Sequence, residues 1–144
     1  MKFYATLLII LVFTSCSQNP PAKKPAVVDN AKIEKNKQTV LLNEVSELTR
    51  AAQRLEKQGR EMDSYRSASG AESMRWCNVL TEDRRREVND LEAKIKNLPD
   101  SFSIRLTSIL PDLSECVSCS KKAMSSCVKT RAAINGLIKE LFPQ

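Results

Sequence analysis

The fold of this chain is decided by residues 41–62, which read LLNEVSELTRAAQRLEKQGREM. Apolar or small residues recur there at alternating spacings of four and three: Leu41, Val45, Leu48, Ala52, Leu55, Gly59 and Met62. This spacing is the seam of a coiled-coil-like α-helix, sustained for about three heptads. Gly59 costs about 1 kcal/mol relative to alanine in a helix interior. Its place on the seam predicts either close approach of a neighbouring helix or a weakened helix end.

A second helix with the same spacing follows a short break at residues 67–70, which read SASG. Ser69 and Glu72 match a capping box, in which a hydroxyl and a carboxylate satisfy free amide groups at a helix start. The inner face predicted for this helix is Met74, Cys77, Thr81, Arg84, Val88, Leu91, Ile95 and Leu98. Two long helices joined by so short a break predict an antiparallel hairpin.

Two further helical stretches follow residues 97–101, which read NLPDS and end the second helix. Pro111 should kink or split the third helix, because proline lacks an amide hydrogen and its ring clashes with the preceding turn. The inner face predicted for the last helix is Met124, Cys127, Arg131, Ile134, Ile138 and Leu141. With no convincing strand pattern, the sequence predicts an all-α fold, an antiparallel hairpin extended to a three- or four-helix bundle.

The composition excludes several classes of enzyme. The chain has 144 residues, enough for one modest domain, with 28% charged residues, a formal charge of +6 and no histidine. Without histidine there is no Ser-His-Asp or Cys-His catalytic group and no histidine-ligated metal. No pair of carboxylates lies in an apolar setting, and no glycine-rich phosphate loop occurs. We therefore expect a protein that is not an enzyme and has no catalytic, cofactor-binding or metal-binding residues.

Two short basic clusters, residues 84–86 and 121–122, raise the question of nucleic-acid binding. Acidic residues are interleaved with the first cluster, at Glu82, Asp83, Glu87 and Asp90. Mixed charge of this kind is typical of a solvated helix face, and we expect no nucleic-acid partner.

The first 16 residues read MKFYATLLIILVFTSC. One lysine precedes about eleven apolar or near-apolar residues, too few for a transmembrane helix of about 20 residues. A basic start, a short apolar core and small residues before a cleavage point are typical of a secretory signal peptide. The end of this stretch, Phe13-Thr14-Ser15-Cys16, resembles the lipobox of bacterial lipoproteins.

The lipobox resemblance implies that Cys16 is lipidated, becomes the new N-terminus and anchors the chain in a lipid bilayer. Ser17, rather than aspartate, after it implies the outer membrane of a diderm bacterium. Residues 16–32 are proline-rich and poor in large apolar groups, which predicts a flexible tether. The predicted division is a signal peptide at 1–15, the lipidated cysteine and tether at 16–32, and a helical domain at 33–142. A protein secreted without lipid is the alternative.

One lipidated cysteine leaves four, Cys77, Cys116, Cys119 and Cys127, which in an oxidising compartment predict two disulfides. A turn near residues 98–100 brings residues 116–120 back alongside Cys77. We therefore favour Cys77–Cys119 with Cys116–Cys127, and Cys77–Cys116 stays open. Zinc binding by four thiolates is a weaker alternative, because one CxxC and two isolated cysteines are a poor zinc signal.

These features predict a non-enzymatic, periplasm-facing lipoprotein, a structural or assembly accessory of the cell envelope whose partner is another envelope protein. A thiol-redox lipoprotein that uses the CxxC at 116–119 is one alternative. A coiled-coil homo-oligomer is another, because such seams pair between chains as easily as within one. Trp76, the single tryptophan, precedes Cys77 and is expected to pack over a disulfide.

Overall fold

The computed structural model describes residues 30–141, with side chains from Ile33 onward. These residues form six helical segments and no strand: α1 (Asn30–Glu61), α2 (Asp63–Ser67), α3 (Ala71–Ile95), α4 (Asp100–Thr107), α5 (Leu110–Cys116) and α6 (Ala123–Leu141). The predicted signal peptide and most of the predicted tether lie outside the described residues. Helix α1 begins at Asn30, three residues before the position at which the helical domain was predicted to start.

The heptad seam of α1 is the face that packs against the rest of the bundle. Val45, Leu48, Ala52, Leu55 and Met62 are buried, and Leu41 is half buried. Residues 33–40, before the seam, are exposed on every side of the helix. The apolar stripe therefore marks where α1 enters the core.

The second long helix, α3, returns antiparallel to α1. Its predicted inner face is correct from Cys77 onward, since Cys77, Thr81, Val88, Leu91 and Ile95 are buried. Met74, the first position predicted, is instead exposed.

The predicted capping box at the start of α3 does not form. Gly70 is the N-cap residue, and no side chain caps the helix there. Ala71 is the first helical residue, so the cap position falls on Gly70. Ser69 lies one residue before that position and does not cap the helix.

The third predicted helix is split into α4 and α5 near Pro111, as expected. Pro111 lies in the first turn of α5, where the missing amide hydrogen breaks no helical hydrogen bond. The short segments α4 and α5 return along α3, and α6 packs against α5. A salt bridge between Arg131 of α6 and Glu56 of α1 links the last helix to the first.

The core lies along the bundle axis and receives side chains from α1, α3, α4, α5 and α6. Its buried members are Val45, Leu48, Ala52, Leu55, Val88, Leu91, Ile95, Leu98, Leu106, Ile109, Leu110, Leu113, Val117, Ile134 and Leu137. The predicted fold class is confirmed: an all-α bundle built on an antiparallel hairpin and crosslinked by disulfides. No helix within residues 30–141 is both long enough and apolar enough to span a membrane.

Candidate functional site: the disulfide-bonded end of the bundle

Four cysteines meet at one end of the bundle, where α1 ends and α3 begins. Cys77 lies in the first turns of α3, Cys116 ends α5, Cys119 follows in the loop, and Cys127 lies in α6. The structure joins Cys77 to Cys119 with an S–S distance of 2.10 Å. It joins Cys116 to Cys127 with an S–S distance of 2.06 Å. These are the two pairs that the sequence analysis favours.

The two disulfides differ in their exposure. Cys116 and Cys127 are both fully buried, whereas Cys119 is half buried beside a fully buried Cys77. The hydroxyl of Thr81, one turn after Cys77 on α3, lies 3.0 Å from the Sγ atom of Cys119. Because Cys119 has no thiol hydrogen in the disulfide, Thr81 is the donor.

The CxxC pair is not joined to itself. Cys116 and Cys119 each bond to a cysteine of a different helix, so the motif links the end of α5 to α6 and to α3. A redox-active CxxC alternates between a dithiol and a disulfide between its own two sulfurs, and both sulfurs have other partners here.

Gly59 is where α1 crosses the end of α5. A Cβ atom at position 59 would lie 2.5 Å from the Sγ atom of Cys116 and 2.8 Å from its carbonyl oxygen. No side chain fits that space, so the helices approach this closely because residue 59 is glycine. The sequence predicted either close approach of a neighbouring helix or a weakened helix end at Gly59, and the structure shows close approach.

Arg66 of the short helix α2 ties this end together. Its Nε atom donates to the carbonyl oxygen of Ser118 at 2.8 Å. Its Nη2 atom donates to the carbonyl oxygens of Gly59 at 2.7 Å and Cys116 at 2.6 Å. The carbonyls of Gly59 and Cys116 lie at the C-terminal ends of α1 and α5, where helices leave acceptors without partners. One guanidinium group therefore serves two helix ends and a loop.

The Arg66 side chain is only 8% exposed. Burial lowers the pKa of its guanidinium group, and the nearby carboxylate of Asp63 acts in the opposite direction. An arginine pKa is so high that the group stays charged at neutral pH. Sequence reasoning missed Arg66, because two of its acceptors lie about 50 residues away and no local spacing marks them.

A second buried charge, Glu56, links α1 to α6. Its side chain is 6% exposed and accepts hydrogen bonds from Arg60 at 2.8 Å and from Arg131 at 3.0 Å. Arg131 reaches Glu56 with both Nε and Nη2. Buried charges in proteins are normally paired, and two arginines pair with this carboxylate. Arg131 was predicted on the inner face of α6, but its side chain is 47% exposed, and its contact with Glu56 was not predicted.

Trp76 corrects one expectation. It is 53% exposed and so is not buried over the adjacent disulfide. Successive helical residues point about 100° apart, so burial of Cys77 turns Trp76 toward solvent. Val79, one turn further along the same outer face of α3, is also exposed.

The basic cluster at residues 84–86, in the middle of α3, has mixed charge around it and is not a basic patch. Arg84 pairs with Glu87, and Arg86 pairs with Glu82 at 3.6 Å, so the cluster at 84–86 is largely neutralised along α3. In the part of the chain that the structure describes, no three His, Cys, Asp or Glu side chains form a group that could hold a metal ion. The geometry holds helix ends together by covalent and hydrogen bonds.

The remaining predicted site residue, Cys16, lies outside the described residues. Comparison with protein families, with curated proteins and with solved structures found no match to this chain.

Proposed function

We propose that this chain is an exported, lipid-anchored, non-enzymatic protein of the cell envelope that presents a rigid helical bundle to another envelope protein. The observation that carries the proposal is the use of the cysteines. Each of the four cysteines after residue 30 is in a disulfide, and Cys16 of the lipobox-like segment is the fifth.

The disulfides support export, since such bonds persist in oxidising compartments such as the periplasm. Small domains with modest cores often rely on such crosslinks. The two here join α3, α5 and α6 at one end of the bundle. A crosslinked end holds its surface in one arrangement, which suits recognition by a partner.

Several acyl chains on one cysteine anchor a protein stably in a membrane, whereas a single acyl chain anchors it only marginally. A lipidated Cys16 would therefore account for the apolar segment before it. It would also explain why the chain has a fifth cysteine beside the four in disulfides. The bundle would be connected to the bilayer through the N-terminus of α1.

Membrane fractionation of the full-length chain expressed in a diderm bacterium tests this proposal. With labelled palmitate in the medium, we expect label in the unaltered chain and in a Ser17→Ala variant, both in the membrane fraction. Cys16→Ser should lose the label and leave the membrane. If Cys16→Ser stays bound or the unaltered chain takes no label, the lipid anchor is wrong.

The same preparation separates the structural role from thiol-redox chemistry. Alkylation of the exported chain without reductant should modify none of the four bundle cysteines. Free thiols at Cys116 and Cys119 in a substantial share of the molecules would favour the redox alternative instead.

A further inference from the structure

The outer face of α3 carries the largest exposed aromatic side chain of the described bundle. Trp76 is 53% exposed and Val79 is 47% exposed, three residues apart on the same face. Acidic and basic residues flank them along this face: Glu72 and Arg75 before, Asp83 and Arg86 after. All six side chains are exposed.

Five of these six residues follow the spacing of a helix-pairing surface. Glu72, Trp76, Val79, Asp83 and Arg86 are separated by four, three, four and three residues. This alternation keeps side chains in one stripe along a helix. The buried seam of α3, which includes Cys77, Thr81 and Val88, lies on the opposite side. The heptad seams predicted from the sequence are buried inside the bundle. This exposed stripe is a separate face of α3.

The charges on the stripe are antisymmetric about Val79. Seven residues before Val79 is the acid Glu72, and seven after it is the base Arg86. Four residues before it is the base Arg75, and four after it is the acid Asp83. Reversing the helix about Val79 therefore places Glu72 of one copy opposite Arg86 of the other and Arg75 opposite Asp83, while the exposed Glu82 lies opposite Trp76.

A two-fold interface requires this property. In such an interface residue i contacts residue j, and residue j contacts residue i, so a helix must complement its own reversed copy. Parallel pairing would instead place Glu72 beside Glu72 and Arg86 beside Arg86, which repel. The pattern thus selects the antiparallel arrangement.

We propose that this stripe is a docking surface for a second copy of the chain, paired antiparallel about a two-fold axis through Val79. Trp76 of each copy packs beside Val79 of the other, and the Glu72–Arg86 and Arg75–Asp83 contacts each form twice. The internal pair between Arg86 and Glu82 does not compete strongly, because both side chains are well exposed and their separation is 3.6 Å.

The apolar centre of this surface is small, so association should be concentration-dependent rather than permanent. The proposal does not depend on the lipid anchor. Tethering of copies to a common surface would raise their effective concentration.

Crosslinking at the axis tests the arrangement directly. In the purified full-length chain, Val79→Cys should place two thiols within about 10 Å, because packed helix axes lie 8–10 Å apart. A short bismaleimide should then give a product of twice the chain mass. The matched control is Val128→Cys on α6, which is also exposed valine in a helix, at 60%, and should give none.

Charge reversal provides the second arm, on the Val79→Cys background. Glu72→Arg alone and Arg86→Glu alone should each lower the dimer yield about fivefold, because each turns two attractive contacts into two repulsive ones. The double variant restores opposite charges across the axis, so its yield should return to within about twofold of the starting protein.

Trp76, the single tryptophan of the chain, gives an independent readout in the unaltered protein. Its emission maximum should shift to shorter wavelength as concentration rises and remain fixed in the Glu72→Arg variant. Absence of a Val79→Cys dimer, equal dimer yield at Val128→Cys, or failure of the double variant to recover would each overturn the proposal.

Discussion

Gly59 of α1 lies directly against Cys116 of α5. The space beside its Cα atom is filled by the Sγ atom of Cys116, 2.5 Å from the position that a Cβ atom would take. Since Cys116 is bonded to Cys127, this crossing also fixes the disulfide that joins α5 to α6. A glycine that weakens its own helix is thus the residue that allows three helices to meet.

Gly59→Ala should destabilise the bundle by about 1–3 kcal/mol, the range typical of overpacking in a filled core. The usual gain of about 1 kcal/mol from replacing a helical glycine is included in that balance. Thermal unfolding of the full-length chain, followed by circular dichroism, measures the change.

Gly136→Ala is the matched control, because Gly136 lies within α6 and a Cβ atom there meets nothing within 4 Å. That variant should gain up to about 1 kcal/mol. If both alanine variants raise the unfolding temperature, Gly59 has no packing role.

Arg66→Met should lower the free energy of unfolding by about 2–4 kcal/mol. The substitution preserves much of the side-chain volume but removes the donors to the carbonyl oxygens of Gly59, Cys116 and Ser118. Buried acceptors that lose their donors carry the full cost of desolvation. Arg66→Lys should be intermediate, because an ammonium group lacks the planar fork that reaches several acceptors.

Arg85→Met, an exposed position on α3, is the comparison and should change stability by less than about 0.5 kcal/mol. Equal effects at positions 66 and 85 would mean that Arg66 contributes only surface charge.

The two disulfides should be reduced in a fixed order. Cys119 is half buried and gives a reductant access to the Cys77–Cys119 bond, whereas Cys116 and Cys127 are fully buried. Thiol–disulfide exchange requires access to a sulfur atom. Under mild reduction we expect alkylation of Cys77 and Cys119 first, and of Cys116 and Cys127 only when denaturant is added. Mass spectrometry of the alkylated peptides reads the order, and simultaneous alkylation of all four would contradict it.

The sequence was sufficient for the helices and for their arrangement, because both depend on periodic apolar residues. The spacing from Leu41 to Met62 and from Cys77 to Ile95 identifies the two buried faces. The favoured cysteine pairs followed from the same topology, since an antiparallel return brings residue 119 alongside residue 77.

Contacts set by polar side chains were not predictable in the same way. Glu56 and Arg60 are four residues apart on α1, the spacing of an ordinary surface ion pair, but Glu56 is buried beneath α6. Two of the acceptors of Arg66 lie about 50 residues further along the chain, so no local sequence spacing predicts these contacts. Trp76 was assigned to the disulfide by its neighbour in sequence, although adjacent residues of a helix face different directions.

Glu56 and Arg131 should be more strongly coupled than any exposed pair between helices. Glu56 is 6% exposed and holds two bonds from Arg131, whereas Arg105 of α4 and Glu140 of α6 form a pair in which both side chains are more than half exposed. Exposed pairs contribute about 0–1 kcal/mol, because water and salt screen them. Removal of Arg131 costs more, since the buried carboxylate of Glu56 then loses two hydrogen bonds and keeps only its pairing with Arg60.

Double-mutant cycles measure both couplings in the same protein. For Glu56→Gln with Arg131→Met we expect a coupling energy above about 1 kcal/mol that changes little between low and high salt. For Arg105→Met with Glu140→Gln we expect less than about 0.5 kcal/mol, which disappears in high salt. Equal couplings would mean that burial of Glu56 beneath α6 adds nothing to its attraction for Arg131. The link between α1 and α6 would then depend on the apolar core alone.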